Sequence, residues 1–331
     1  MNEYRSFFNK AKAGVNHDIQ QAPFFIEKGI VSAGWSFEGK GSYASLDEYK
    51  KMFKEEHKDI SWNRQSLHYL FDNLNKGDFI WILNEGVYYV AQLPDYPKNL
   101  FQYTNSREFL EHDSSVYIKN INWKKVGTEE NVPGSVSTAK GRLRGAVQRI
   151  DNNDPQIEIN GDHYTLTSLL AKHAVSNDFF ECKLKKEKIF DLLGSSELED
   201  LLGMFLFSKY GYAIIPSTNK IGTQKYEYVM VDGTGKSDKK IYIQTKNGNI
   251  NLNTDDYKDL ILTNSKNEVW LLTTRGKIND DVNMKFIKFS GDNGKITLYR
   301  LSELIEFIFN NQNTNILPPT IKKWVDLFKW Y

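Results

Sequence analysis

Three polar side chains in the second half of the chain, those of Glu227, Gln244 and Lys246, have the types and spacing that phosphodiester chemistry requires. A carboxylate and an amide oxygen are ligands that suit a hard divalent cation. A neighbouring ammonium can orient the attacking water or stabilise the charge that develops on the phosphorus centre. Gln and Lys that alternate on a strand more often mark a solvated sheet face, so this pair alone is weak support.

A predicted β-hairpin would bring the three groups together. Residue alternation predicts strands at Tyr226–Val231 and Lys240–Lys246, joined by a polar turn that contains two glycines. If the hairpin is symmetric about this turn, Glu227 lies opposite Gln244. Lys246, two residues further along its strand, then shares the same face.

Asp232 is the alternative to Glu227 as the first acid of this hairpin. It lies nearer to the turn, where it would face residues around Lys239 and not Gln244. We therefore prefer Glu227, although a β-bulge in the hairpin would reverse that choice.

An amphipathic helix followed by a short strand is predicted directly upstream of the hairpin. Apolar residues at helical spacing form a wide stripe, Gly211 marks the end of the helix, and Tyr212–Pro216 is typical of a buried strand. Three acids lie near the start of this helix, namely Glu197, Glu199 and Asp200.

The helix with its glutamates, the Gly-Tyr pair after it, the acid-bearing hairpin and the Gln-X-Lys tripeptide together resemble the core of the PD-(D/E)XK nuclease superfamily, in the form seen in Mrr-type restriction endonucleases. The resemblance covers residues 191–331 and implies an α/β fold class, with a restriction-endonuclease-like α/β/α core around a central mixed sheet. By position, Glu199 best matches the helix glutamate of that family. The chain departs from the family at Glu227, where an Asp is usual.

The resemblance also implies the roles of the site residues. Glu199, Glu227, Gln244 and Lys246 would be catalytic, with Lys246 orienting the nucleophilic water. The cation would be held by Glu227, the side-chain oxygen of Gln244 and the main-chain carbonyl of Thr245. Mg²⁺ is the expected cation, and Mn²⁺ is expected to substitute for it. An amide in place of a second carboxylate lowers the negative charge of the site, so we expect modest cation affinity.

Beyond the hairpin, helices and strands alternate in the pattern of a layered α/β domain. The predicted elements are helices at Thr254–Leu260, Leu301–Asn310 and Ile321–Tyr331, and strands at Glu268–Thr273 and Met284–Phe289.

Residues 1–126 predict a smaller β-rich domain. The predicted elements are a strand at Gly29–Trp35, helices at Leu46–Glu56 and Asn63–Leu74, a hairpin at Lys76–Leu93 and a strand at Asn120–Val126. This order resembles PUA/EVE-like domains, small β-barrel-like α+β modules that read bases, often modified ones, and precede nuclease domains in modification-dependent restriction enzymes.

A reader of flipped bases needs aromatic side chains for stacking. The candidates for nucleic-acid binding are Trp35, Trp81 and Tyr88, with Phe37 and Tyr89 as further aromatic residues. For any one of these rings, packing in the core is the commoner role.

Residues 127–190 are predicted to connect the two domains, with helices at Thr165–Ala174 and Lys183–Leu193. Between them and the first domain, residues 132–149 are typical of a loop. This segment holds the best local candidates for phosphate contact, namely Lys140, Arg142, Arg144 and Arg149. A solvated linker explains the same charges equally well.

The composition limits the class of protein. A chain of 331 residues suits two domains, and 40% hydrophobic with 26% charged residues is normal for a folded soluble protein. The net charge of +1 excludes a global basic field, so DNA contacts must come from local patches. The single cysteine, Cys182, excludes a disulfide framework. No signal-peptide pattern or membrane-spanning apolar run is present, so we expect a cytoplasmic protein without membrane contact.

These observations predict a Mg²⁺-dependent DNA endonuclease, similar to type IV restriction enzymes, that acts on DNA with modified bases in anti-phage defence. Cleavage of both strands needs two sites, so a homodimer is expected. The sequence contains no ATPase motif, so translocation would need a separate ATPase partner. Two alternatives stay open: a non-catalytic nucleic-acid-binding protein on a nuclease scaffold, and an RNA-directed nuclease.

Overall fold

The computed structural model divides the chain into two compact units, Met1–Cys182 and Lys183–Tyr331. Residues 127–182, predicted as part of a connector, therefore belong to the first unit. The structure describes residues 2–11, 19–34, 42–62, 66–142, 145–152, 154, 156–176, 185–218, 225–291, 294–313 and 315–330, with the backbone alone at 142, 311 and 326–330.

The first unit is a mixed α/β assembly of open sheets. Its strands are β1 (Glu3–Tyr4), β2 (Ser6–Asn9), β3 (Val31–Ser32), β4 (Phe79–Asn84), β5 (Val87–Gln92), β6 (Phe101–Tyr103), β7 (Val116–Ile118), β8 (Lys124–Gly127), β9 (Val147–Arg149), β10 (Gln156–Ile159) and β11 (Asp162–Thr165). The largest sheet has the order β8-β5-β4-β2-β9, and two three-stranded sheets have the orders β3-β7-β6 and β1-β11-β10. The barrel expected here is not closed by the strands in the described ranges.

Short helices cover these sheets. They are α1 (Gln21–Lys28), α2 (Leu46–Glu56), α3 (Ser66–His68), α4 (Arg107–Glu111), α5 (Gly134–Ser137), α6 (Ala139–Arg142) and α7 (Leu166–Ser176). Helix α2 has the predicted bounds, because Ser45 caps it by accepting a hydrogen bond from the Glu48 amide. Its apolar side chains, spaced for one helical face, are buried.

The segment 132–149 was predicted as a loop, but it contains helices α5 and α6 and strand β9. Strand β9 pairs with β2 from the start of the chain, a long-range contact that local composition does not encode. The buried Asp151 secures this junction, because its carboxylate accepts hydrogen bonds of 2.7 Å from the Ser6 amide and from the Thr165 hydroxyl.

The second unit is built on one six-stranded mixed sheet. Its strands are β12 (Tyr212–Ile214), β13 (Tyr228–Asp232), β14 (Lys240–Lys246), β15 (Glu268–Thr273), β16 (Phe286–Ser290) and β17 (Ile296–Tyr299), in spatial order along the sheet. Strands β14 and β15 run parallel and the other neighbours are antiparallel. The bounds of β14 and β15 are the predicted ones, whereas β17 was not predicted.

Helices lie on both faces of this sheet. They are α8 (Ile189–Leu192), α9 (Ser195–Tyr210), α10 (Lys258–Leu262), α11 (Leu301–Phe309) and α12 (Pro319–Trp330). On one face, the Phe205 ring of α9 lies 5.9 Å from Phe286 and 5.6 Å from Phe307 of α11. On the other face, Ile261 of α10 packs in a cluster that includes Ile287, the neighbour of Phe286 on β16.

Helix α9 is the element that matters most for the site. The predicted apolar stripe is buried against the sheet. The helix ends at Gly211, whose left-handed conformation (φ of 71°) lets its amide donate to the Phe207 carbonyl. None of the helices in the described ranges has the length and apolar character that crossing a bilayer requires.

Candidate active site

The β13–β14 hairpin has the predicted register. Tyr228 pairs with Ile243, and the Glu227 amide donates a 2.8 Å hydrogen bond to the Ile243 carbonyl, so Glu227 lies opposite Gln244. Asp232 lies at the turn instead, where its carboxylate accepts hydrogen bonds from the amide and hydroxyl of Thr234. Glu227 and Asp232 are five residues apart, so the two-residue period of the strand places these two candidate acids on opposite faces of the sheet.

Three of the predicted catalytic side chains meet at one carboxylate oxygen. Gln244 Nε2 donates to Glu227 Oε1 at 2.6 Å, and Lys246 Nζ donates to the same oxygen at 2.9 Å. The Gln244 side chain is 2% exposed, whereas the Lys246 and Glu227 side chains are partly open to solvent. The cluster thus has a buried floor and an accessible rim.

The Gln244 amide has an unbalanced environment. Its nitrogen lies near two acceptors, Glu227 Oε1 and, at 3.4 Å, the Thr245 carbonyl oxygen. Its oxygen is buried and finds no hydrogen-bond partner in the described part of the chain. A buried acceptor without a partner is destabilising. The nitrogen, not the oxygen, faces Glu227 and the Thr245 carbonyl, so a cation there would be bound with the amide turned by about 180°, which places the oxygen beside both groups.

The donor set fits a hard divalent cation. It consists of a carboxylate, an amide oxygen and a main-chain carbonyl, from Glu227, Gln244 and Thr245, and all three are oxygen ligands of the kind that Mg²⁺ accepts. Among the described residues, no group of three or more His, Cys, Asp or Glu side chains is arranged to hold a metal ion. The proposed set does not need such a group, because two of its ligands are uncharged.

Glu199 lies in the second turn of α9 and is half-buried. Burial raises the pKa of its carboxyl to about 7, the negative charges of Glu227 and Asp200 add to the rise, and Lys246 opposes it. Glu199 therefore interacts electrostatically with the hairpin cluster. Of its two competitors on the helix, Glu197 is buried and Asp200 is exposed.

Tyr228 fixes the helix that carries Glu199 against the hairpin. Its hydroxyl donates a 2.8 Å hydrogen bond to the Glu199 carbonyl oxygen. Burial raises the pKa of this hydroxyl well above its usual range, so it stays protonated and acts as a donor. The close approach requires Gly203, since a Cβ there would lie 2.9 Å from the Tyr228 oxygen.

Asn247 forms a second connection between the same two elements, which the sequence did not reveal. Its Nδ2 donates a 2.5 Å hydrogen bond to the Leu193 carbonyl, just before α9 begins. Its Oδ1 accepts one of 2.9 Å from the Thr274 hydroxyl, and the Thr274 amide donates to the Lys246 carbonyl. A single asparagine after a strand belongs to no sequence pattern that would predict this role.

Among the described residues, the rings and the cations that were predicted to contact nucleic acid have different surroundings. Trp81 and Tyr88 are buried at 1% and 4% exposure and pack in one apolar cluster of the first unit. Trp35, Phe37 and Arg144 lie outside the described residues, as does the side chain of Arg142. The described cations of that set are an exposed Lys140 and Arg149, which forms ion pairs with Asp151 and Glu3.

Comparison of the chain with protein-family models, with curated proteins and with solved structures found no match in any of the three. The hypothesis that this site is a nuclease centre therefore depends on its residues and their geometry. The strongest features are the shared contact at Glu227 Oε1, the electrostatic link to Glu199, and a buried Gln244 oxygen that lacks a partner within the described ranges.

Proposed function

We propose that the chain is a Mg²⁺-dependent DNA endonuclease whose second unit has the architecture of the PD-(D/E)XK superfamily. One observation carries the proposal: the side chains of Gln244 and Lys246 converge on Glu227, while the buried Gln244 oxygen has no hydrogen-bond partner among the residues that the structure describes. Oxygen ligands beside a lysine form the set that hydrolysis of a phosphodiester requires. Mn²⁺ is expected to substitute for Mg²⁺.

Glu227, the Gln244 side-chain oxygen and the Thr245 carbonyl would hold the cation, with Glu199 completing the acidic side of the site. When bound, the cation would supply Lewis-acid stabilisation of the charge on the phosphoryl oxygens. Only Glu227 and Glu199 bring negative charge to this set, so cation binding is expected to strengthen when a phosphate is also present.

Lys246 is the group that acts on the nucleophile. Its ammonium now donates to Glu227, and its side chain is 35% exposed, so it can also reach a water molecule or a phosphoryl oxygen at the rim. Glu227 holds the ammonium beside the position of the scissile phosphate. Loss of the ammonium would remove the alignment of the attacking water and leave the cation ligands in place.

The first unit is proposed to read modified bases, in the manner of PUA/EVE-like domains, so that cleavage is directed to modified foreign DNA in anti-phage defence. Cleavage of both strands would require a homodimer, and translocation would require a separate ATPase. Trp81 and Tyr88 are buried, so neither ring is proposed to stack on a base.

A cleavage assay with Mg²⁺ on plain, methylated, hydroxymethylated and glucosylated DNA tests the proposal. The variants are Lys246→Ala and, as a matched control, Lys266→Ala, because Lys266 is an exposed lysine that precedes β15, at the opposite end of the strands from Lys246. We expect wild type and Lys266→Ala to cleave and Lys246→Ala to be inactive but folded. Cleavage restricted to one modified substrate would support the reader role of the first unit.

An RNA substrate and a measurement of DNA binding, run beside this assay, separate the alternatives. Full activity of Lys246→Ala would remove the proposed mechanism. DNA binding without Mg²⁺-dependent turnover would identify a binding protein on a nuclease scaffold. Cleavage of RNA while DNA stays intact would identify an RNA-directed nuclease.

A further inference from the structure

A group of cations surrounds Asp191 at the start of the second unit. Arg275 donates a 2.6 Å hydrogen bond to Asp191 Oδ1, and Lys188 Nζ lies 3.7 Å from Asp191 Oδ2. The Asp191 side chain is 13% exposed, whereas those of Lys188 and Arg275 are 36% and 34% exposed. The carboxylate therefore lies beneath the two cations and holds both of them at the surface.

The positive charge extends from this point along the chain. Lys185 and Lys186 are exposed, and Lys185, Lys188 and Asp191 follow one another at three-residue intervals, which places them on one face of the helical turns. The Lys186 ammonium lies 5.0 Å from the centre of the Phe309 ring, which fixes its direction.

The excess of positive charge is local. The group has four cations, Lys185, Lys186, Lys188 and Arg275, against two carboxylates, Glu187 and Asp191. Its net charge of +2 exceeds the +1 of the whole chain. A concentrated patch on a nearly neutral protein is an electrostatic feature that a polyanion can recognise.

This patch adjoins the end of the catalytic strand. The Arg275 amide donates to the Gly248 carbonyl, and the Thr274 amide donates to the carbonyl of Lys246 itself. Asn247, which lies between Lys246 and Gly248 in the chain, donates a hydrogen bond to the carbonyl of Leu193, the residue directly after α8. Hydrogen bonds therefore connect the site at Lys246 to the cations around Asp191 without a break.

We infer that Lys185, Lys186, Lys188 and Arg275 form the surface that holds the DNA backbone beside the scissile phosphate. The inference rests on the proposed function, since the four cations would bind phosphates that neighbour the scissile phosphate in the same DNA substrate. Phosphates repeat along a strand, so a strand with one phosphate at Lys246 presents the next ones to adjacent protein surface. Cations fixed there would set the register of the strand without reading its sequence.

The test is the salt dependence of DNA binding by the full chain, measured without divalent cations so that no cleavage occurs. The probe is a short plain DNA duplex, and a matched RNA duplex is measured in parallel. The test variant is Lys185→Ala/Lys186→Ala/Lys188→Ala, and the control is Lys266→Ala at the opposite end of the strands from Lys246. The triple variant and the control both remove charge from exposed or partly exposed lysines, so both proteins are expected to stay folded.

We expect the slope of log affinity against log salt to fall by about 0.9 for each lysine that contacts a phosphate in the triple variant, and to stay unchanged in Lys266→Ala. An unchanged slope in the triple variant, or no DNA binding by wild type, would overturn the inference. A change in slope with RNA alone would overturn the assignment to DNA.

A separate cleavage assay distinguishes the two proposals. Wild type that cleaves DNA while the triple variant keeps its slope would preserve the nuclease and remove this surface. A reduced slope in the triple variant of a protein that never cleaves would preserve the surface and remove the nuclease.

Discussion

Gln244 donates a 2.6 Å hydrogen bond to Glu227 across the β13–β14 hairpin, and its own side-chain oxygen remains buried without a partner among the described residues. The amide nitrogen thus satisfies one hydrogen-bond acceptor of the carboxylate, while the amide oxygen, itself an acceptor, has no donor in the part of the chain that the structure describes. An arrangement of this kind is stable only at a cost, and such costs occur where a ligand is to bind.

Gln244→Glu should have opposite effects on stability and on cation affinity. A second carboxylate 2.6 Å from Glu227 would introduce repulsion, and we expect the free energy of unfolding to fall by about 2 kcal/mol without cations. The same charge should strengthen Mn²⁺ binding, so added Mn²⁺ should recover more stability in the variant than in wild type. Thermal unfolding with and without Mn²⁺ measures both effects.

The double variant Glu227→Gln/Gln244→Glu is the control, because it restores one carboxylate and one amide to the pair. Its stability without cations should return towards that of wild type. A Gln244→Glu variant that is as stable as wild type and gains nothing from Mn²⁺ would show that the pair is not a cation site.

Glu199→Gln should stabilise the protein at alkaline pH and not at acidic pH. Burial raises the pKa of Glu199 to about 7 in the folded protein, whereas its usual value is 4.5. The stability that its protonated form contributes is fully present below pH 4.5 and is lost as the pH rises through 7. Above pH 8 the variant should be more stable by on the order of 2 kcal/mol, after allowance for solvent screening.

Chemical denaturation of both proteins at several pH values, without divalent cations, measures this difference. We expect the two unfolding curves to coincide near pH 4 and to separate progressively between pH 5 and pH 8. A constant difference over that range would mean that the Glu199 carboxyl does not titrate in the folded protein as its environment requires.

The hairpin could be predicted because its determinants are local. Side-chain alternation with a period of two residues, together with glycines at the turn, sets the register that places Glu227 opposite Gln244. In the same way, the Ser45 cap and the apolar residues spaced along one helical face determine α2. Strand β9 could not be predicted, since it forms only through pairing with β2 from the start of the chain. Local composition at 132–149 favours a loop, and long-range pairing overrides it.

The site was predictable only in part for the same reason. The sequence indicated an acid on the helix but left three candidates within four residues, and packing of α9 on the sheet decides which of them interacts with Glu227. Trp81 was a candidate for base stacking, but whether its ring faces a core or a ligand depends on the neighbouring sheets. The short lysine run at 185–188 is visible in the sequence, while its link to Arg275 through Asp191 is not.

Gly203→Ala should be tolerated much better when Tyr228 is replaced by Phe. In wild type the new Cβ would lie 2.9 Å from the Tyr228 oxygen, which is held by its bond to the Glu199 carbonyl, so the contact should outweigh the gain in helix propensity. In the Tyr228→Phe background the nearest ring atom would be 3.7 Å away, and the closest remaining atom, Ile214 Cδ1 at 3.3 Å, is the end of a flexible side chain that can shift. Gly203→Ala should then raise stability by about 0.5 to 1 kcal/mol.

A double-mutant cycle on thermal or chemical unfolding gives the coupling between the two positions. Tyr228→Phe alone should cost about 1 kcal/mol, through loss of one hydrogen bond. Additive effects of the two substitutions would contradict the close approach of Tyr228 to the helix backbone.

Asn247→Ala should reduce cleavage far more than it reduces stability. The substitution removes the bonds to the Leu193 carbonyl and the Thr274 hydroxyl, which should lower the free energy of unfolding by about 1 to 2 kcal/mol. It also frees the start of α9 from the end of β14, so Glu199 and Lys246 lose their fixed separation. A displacement of about 1 Å at such a site can lower the rate on the order of a hundredfold.

Asn251→Ala is the matched control for this position. Asn251 accepts a 2.9 Å hydrogen bond from the Lys277 amide and so joins the same two loops, but this bond does not involve the residues before α9. This bond is single and exposed, so we expect Asn251→Ala to lose at most about 1 kcal/mol of stability and to retain most of its activity. Equal losses of cleavage in the two variants would mean that the loops act only as a scaffold and that the bonds of Asn247 to Leu193 and Thr274 have no role of their own.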